Sequence, residues 1–132
     1  MVDVTAEMMT VRSRVLVVDD SVSIRQMVEM TLRSANFDVT LAEDGQHALE
    51  VCADKAFDFV LTDQNMPRMN GLSLVRALRS KSAFQRTPIV MLTTESSDDM
   101  KQKGRAAGAT GWMVKPFDPD KLIAVLRKLM NR

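Results

Sequence analysis

Cysteine is nearly absent. Cys52 is the one cysteine in 132 residues, so no intramolecular disulfide can form and a cysteine-rich zinc site is excluded. Histidine is equally scarce, with His47 standing alone, which leaves no His/Cys cluster to select a softer metal. Neither sign of charge dominates: 18 Lys and Arg balance 17 Asp and Glu. A general nucleic-acid binder would carry a basic excess, so that class is disfavoured. Long apolar runs are missing too, and none approaches the roughly 18 residues of a membrane span. Residues 1–10 contain Asp3 and Glu7 and lack the apolar stretch of a signal peptide. Together these absences predict a cytoplasmic protein with no membrane and no nucleic-acid partner. There is no internal repeat and no low-complexity tract.

What is present is ordinary globular material. A chain of 132 residues that is 45% hydrophobic has the size of one domain and can bury about two-thirds of its unfolded surface without staples. Residues 1–12 show no period and are expected to be a mobile arm; the domain is expected over residues 13–132. Val15–Val18, Asp38–Ala42, Phe57–Thr62, Ile89–Thr93 and Thr110–Val114 read as short strands, several of them continuous apolar runs. Between them, apolar residues recur at helical spacing: Ile24, Met27, Val28, Thr31, Leu32 and Ala35; then Ala48, Leu49 and Cys52; then Leu72, Val75 and Leu78. Ser97–Ala107 predicts a poorer helix, because Gly104 inside it costs about 1 kcal/mol relative to Ala. Asp118-Pro119 caps a last helix that aligns Leu122, Val125, Leu126, Leu129 and Met130. Five strands alternating with five helices predict an α/β fold, a parallel sheet covered on both faces.

The polar residues fall at the strand ends. Strand 1 runs into Asp19-Asp20, strand 3 into Asp63, strand 4 ends in Thr93-Thr94, and strand 5 runs into Lys115. A parallel sheet puts all these ends on one edge, where open α/β sheets bind their ligands. Three carboxylates and one ammonium leave that edge two units negative. Like carboxylates at close range raise one another's pKa unless a cation neutralises them. A hard divalent ion such as Mg²⁺ matches the oxygen donors. A carboxylate there can also act as a nucleophile toward phosphorus, with the cations screening the phosphoryl oxygens.

These pieces resemble the receiver domain of response regulators. The likeness rests on Val17-Val18-Asp19-Asp20-Ser21, Thr62-Asp63-Gln64-Asn65-Met66-Pro67, Met69-Asn70-Gly71, Leu92-Thr93-Thr94-Glu95 and Val114-Lys115-Pro116-Phe117, and covers about residues 13 to 131. It implies a flavodoxin-like, doubly wound sheet in the order 2-1-3-4-5. It implies Asp63 as phosphoacceptor, with Mg²⁺ on Asp20, Asp63 and the backbone carbonyl of Asn65, and Asp19 acting through water. Thr93 and Lys115 would contact the phosphoryl group, and the Lys115–Pro116 bond would be cis. Thr93 and Trp112 occupy the switch positions; Trp112 stands where Tyr or Phe is usual. Asn70 replaces a common Asp, a mild change. Asn65 and Glu95 resemble the CheY-like chemotaxis type, where these positions tune dephosphorylation.

The resemblance implies a sensor histidine kinase, CheA-like, as phosphodonor, and a monomer that signals by protein contact. The target, such as the flagellar motor switch, would meet the face built from helix 4, strand 5 and helix 5. There Met100 and Met113 offer an adaptable surface rimmed by Lys101, Lys103, Arg105, Lys121, Arg127 and Lys128. A phosphatase is a further possible partner. A phosphorelay intermediate or phosphate sink, docking through helix 1 near Ile24 and Met27, is the alternative. A haloacid-dehalogenase-type phosphatase is remote, since that class places its nucleophile in Asp-x-Asp after strand 1. Cys52 reads as a small core residue and His47 as solvated or capping.

Overall fold

The computed structural model describes residues 12–130. The expected mobile arm thus lies outside the described residues apart from Arg12. Five strands form one parallel sheet: β1 Arg14–Val18, β2 Asp38–Ala42, β3 Phe59–Thr62, β4 Ile89–Thr93 and β5 Gly111–Val114. Their order is β2-β1-β3-β4-β5. The helices are α1 Val22–Ser34, α2 Gly45–Cys52, α3 Gly71–Arg79, α4 Asp98–Ala107 and α5 Pro119–Leu129, with a 3-10 turn at Ser82–Phe84. No helix among the described residues is long and apolar enough to cross a membrane.

Why the strands read as unbroken apolar runs is plain from their two faces. Successive side chains alternate sides. On one side Leu16, Val18, Val60, Ile89 and Met91 pack with Ala48 and Cys52 of α2 and Leu74, Val75 and Leu78 of α3. On the other, Val15, Val17, Phe59, Leu61, Val90 and Leu92 pack with Val28 and Leu32 of α1 and Leu122 and Leu126 of α5. Each such side chain, fully buried, contributes about 1.5–3 kcal/mol. Cys52 is indeed a buried core residue, and its desolvated thiol is pushed up to about 11, far from the reactive range.

All five helices begin on a side-chain cap: Ser21, Asp44, Asn70, Ser97 and Asp118. Asn70 accepts from the Ser73 amide at 2.9 Å, a task Asn and Asp perform equally well. His47 does cap: its Nδ1 accepts from the Glu43 amide at 3.1 Å.

Element ends differ from the sequence reading by one or two residues. β3 starts at Phe59, not Phe57; the lead-in is held by Asp58, whose carboxylate accepts from the Arg14 amide at 2.8 Å. Ser97 caps α4 from outside. Thr110 precedes β5, its hydroxyl accepting from the Ile89 amide at 3.0 Å. Gly104 has a positive reason to be glycine: a Cβ there would lie 2.7 Å from Cζ3 of Trp112. The indole ring packs directly on the helix backbone.

Candidate functional site

Parallel pairing delivers the four predicted polar positions to one edge. Val18 pairs with both Ala42 and Thr62, and Thr93 pairs with Val114. Asp19, Asp63 and Lys115 each follow the last residue of a strand, while Thr93 ends one. The chain continues the ladder past the ends: the Asp63 amide donates to Val18 O at 2.9 Å and the Lys115 amide to Thr93 O at 3.0 Å. The strand backbones therefore fix these side chains without relying on loops.

The carboxylates converge. Asp19, Asp20 and Asp63 each offer an oxygen, all lying within 4.8 Å of one another. Lys115 Nζ donates to Asp19 Oδ2 at 2.5 Å and to Asp63 Oδ2 at 3.2 Å. The remaining oxygens are also engaged: Asp19 Oδ1 accepts from the Ser21 amide at 2.9 Å and Asp63 Oδ1 from the Gln64 amide at 2.7 Å. Asp19 and Asp63 are buried and Asp20 is exposed. Burial raises the Asp19 pKa above its ordinary value, against the pull of Lys115 and the Ser21 amide. Burial would lower Lys115, but the Asp19 and Asp63 carboxylates outweigh it and hold the ammonium above its ordinary value. One lysine thus serves an excess of carboxylate. The donor set consists of hard oxygens, near enough for one small divalent cation to serve all three, so the residues fit Mg²⁺.

Thr93 is fully buried, and its hydroxyl accepts from the Glu95 amide at 3.4 Å. Glu95 joins three elements of the site. Its carboxylate accepts from Asn65 Nδ2 at 3.3 Å, and its carbonyl accepts from Trp112 Nε1 at 2.6 Å. Trp112 is thereby linked through one residue to Thr93. The Lys115–Pro116 peptide is cis, as the resemblance implies.

Several residues at this edge escaped the sequence reading. Arg25 Nη1 donates to Asp19 O at 2.6 Å. Gln64 is buried and closes the β3–α3 loop, its Oε1 accepting from the Leu72 amide at 2.9 Å and its carbonyl from the Gly71 amide at 3.0 Å. A Cβ on Gly71 would collide with the Asp63 carbonyl. Arg68, farther along this loop, has φ 65°, and the Met69 amide donates to Pro67 O at 2.7 Å. That is a γ-turn with positive φ at its centre, a strained conformation of order 1–3 kcal/mol for a residue with a Cβ. The Arg68 guanidinium forks onto Asp44: Nε to Oδ2 at 2.8 Å and Nη2 to Oδ1 at 3.0 Å. Nothing in the sequence signalled this ion pair, because 24 residues separate the partners.

Comparisons with known proteins agree with this geometry. The family described as response regulator receiver domain matches residues 15–127. The DNA-binding response regulator MtrA of Mycobacterium tuberculosis is 38% identical over 123 residues, which is 93% of this chain and 53% of MtrA. The chain therefore spans about half the length of the MtrA sequences it matches. The solved structure of chemotaxis response regulator CheY4 of Vibrio cholerae is similar at a TM-score of 0.86 and 49% identity, covering 90% of this chain and 99% of CheY4. The receiver domain of sensor histidine kinase PA1611 of Pseudomonas aeruginosa, solved with magnesium in its active site cleft, is similar at a TM-score of 0.85 and 27% identity over 92% of this chain and 100% of that one. The strand order, the carboxylate cluster at the sheet edge and the family match place this chain in the response-regulator receiver family of two-component signalling.

Proposed function

We propose that residues 13–132 act as a phospho-receiver, with Asp63 accepting a phosphoryl group from the phosphohistidine of a CheA-like sensor histidine kinase. The observation that carries this reading is the pairing of a buried Asp63 carboxylate with Lys115 Nζ at 3.2 Å, beside two further carboxylates. An Asp63 oxygen forms the new O–P bond as the donor's N–P bond breaks, and the electron pair leaves with the imidazole. Asp19, Asp20, Asp63 and the Asn65 carbonyl would hold Mg²⁺; the magnesium in the active site cleft of the related PA1611 receiver supports the choice of metal. When bound, Mg²⁺ supplies positive charge for the phosphoryl oxygens. Lys115 adds its ammonium to the same oxygens. Thr93 turns its hydroxyl toward the phosphoryl group, and the Glu95 link carries that motion to Trp112.

The signal leaves by protein contact. The likeness to the chemotaxis regulator CheY4 supports a role in chemotaxis, and the flagellar motor switch is the target this reading assigns. The face of α4, β5 and α5 fits that role. A groove of about 260 Å³ runs beside Trp112 and Met113 and reaches Lys128, and a second, of about 100 Å³, lies between Trp112, Lys101 and Arg105. The working form is a cytoplasmic monomer, with a phosphatase as a further partner. A relay or phosphate sink is the second reading, favoured by the exposed Val22, Met27 and Met30 along α1, an apolar strip suited to docking another helix. The test is intact mass after incubation with acetyl phosphate. A Mg²⁺-dependent gain of one phosphoryl group, absent in Asp63→Asn, is expected; an equal gain in that variant removes Asp63 as acceptor. Transfer of the group onward to a histidine phosphotransfer protein would select the relay reading over the motor one.

A further inference from the structure

We infer that the Arg68–Asp44 fork is a positioning device that sets the affinity of the edge for its divalent cation. The inference rests on the phospho-receiver reading above. The loop from Asp63 to Gly71 carries a proposed acceptor at its start and a proposed carbonyl ligand at Asn65. Its base is closed by Gln64 against Gly71 and Leu72. Its tip, where Met66 and Met69 pack on the core, is also fastened to the start of α2. Arg68 donates two hydrogen bonds to Asp44, and the Gly45 amide donates to Met69 O at 3.2 Å. Contact is so close that a Cβ on Gly45 would lie 2.7 Å from that same carbonyl. Asp44 is itself immobilised, 4% exposed and capping α2 through the His47 amide at 2.8 Å.

The strained turn at Arg68 sharpens the point. A side chain is held at φ 65°, where glycine would sit without strain. Backbone geometry alone gives no reason to prefer arginine there. A positioning role does, because the fork restrains the loop only three residues beyond Asn65 in the chain. Neighbours that orient metal ligands typically govern affinity by about 10–100-fold.

The experiment is calorimetric titration of the full chain with MgCl₂, beside thermal melts in metal-free buffer. Wild type is expected to bind one Mg²⁺. Arg68→Gly removes the fork and relieves the φ but leaves the enclosed Asp44 carboxylate unpaired, so its melting point should fall while Kd for Mg²⁺ weakens about tenfold. Asp44→Asn keeps the cap but not the charge, and should shift Kd the same way; the double variant Arg68→Gly/Asp44→Asn leaves no unpaired charge, so its melting point should recover while its Kd stays about as weak as the worse single. With acetyl phosphate, half-saturating Mg²⁺ should rise in Arg68→Gly while the rate at saturating Mg²⁺ stays at the wild-type value. A Kd in Arg68→Gly within about twofold of wild type overturns the inference, as does a return of Kd to the wild-type value together with the melting point in the double variant, which would make Arg68 merely structural. Absence of Mg²⁺ binding by wild type would instead sink the phospho-receiver reading on which the inference rests.

Discussion

Asp19 and Asp44 invite comparison. Each carboxylate is 4% exposed and pairs with a long cationic side chain, Lys115 in one case and Arg68 in the other. Yet burial wins at Asp19 and raises its pKa, whereas the Arg68 hydrogen bonds win at Asp44 and lower it. The difference lies first in desolvation, which dominates only at Asp19, and then in how the positive charge is shared. Lys115 divides one ammonium between Asp19 and Asp63, with Asp20 close by. Arg68 gives Asp44 two parallel N–H bonds, and Glu43, at 4.0 Å, is only a distant second claimant. An under-neutralised cluster is poised for an added cation; a satisfied pair is a fastening.

Removing the lysine should widen the contrast most. Lys115→Met strips the shared ammonium from Asp19 and Asp63, and in metal-free buffer should lower unfolding free energy by about 3 kcal/mol. Added Mg²⁺ should recover much of that loss by mass action and bind more tightly than to wild type, because its competitor is gone. Urea melts with and without MgCl₂ read both effects; a loss that Mg²⁺ leaves unchanged would break the comparison.

At the other pair, Asp44→Ala also removes a helix cap, which is worth about 1 kcal/mol, whereas Asp44→Asn removes only the charge. The stability gap between wild type and Asp44→Asn should depend on pH in a defined direction. Because the folded pKa of Asp44 is lowered from 3.8, the ion-pair contribution is fully present above about pH 4 and is lost as pH falls through the folded value. Denaturant titrations across that window check it, and a gap that grows on acidification would contradict the assignment. The smallest effect is expected at a surface pair. Glu29 and Arg33 are joined at 3.1 Å on the outside of α1, and Glu29→Gln should change stability by no more than about 0.5 kcal/mol. A larger change would mean that exposed pairs matter here as much as the enclosed ones.

The residues that strand periodicity brought out share one property: backbone regularity carries them. Asp19, Asp63, Thr93 and Lys115 sit at or just past strand ends, and strands announce themselves by apolar runs whatever their neighbours do. Parallel pairing then brings their ends together. Gln64, Arg68 and the hub at Glu95 act instead across loops, through contacts that no local pattern records. Gly104 shows the same limit from the other side. Its helix cost is visible in the sequence, while its compensation, the Trp112 ring lying against the bare backbone, depends on β5 passing beneath α4.

The sequence by itself therefore determined the alternation of strands and helices, the two-faced burial of the sheet and the edge on which the charged residues gather. Those follow from short-range periodicity and from the geometry of parallel strands. Only the tertiary structure decided which carboxylate shares its cation and which keeps one to itself. That depends on distances of a few ångströms between residues far apart in the chain, and Coulomb energy and hydrogen bonding change steeply over that range.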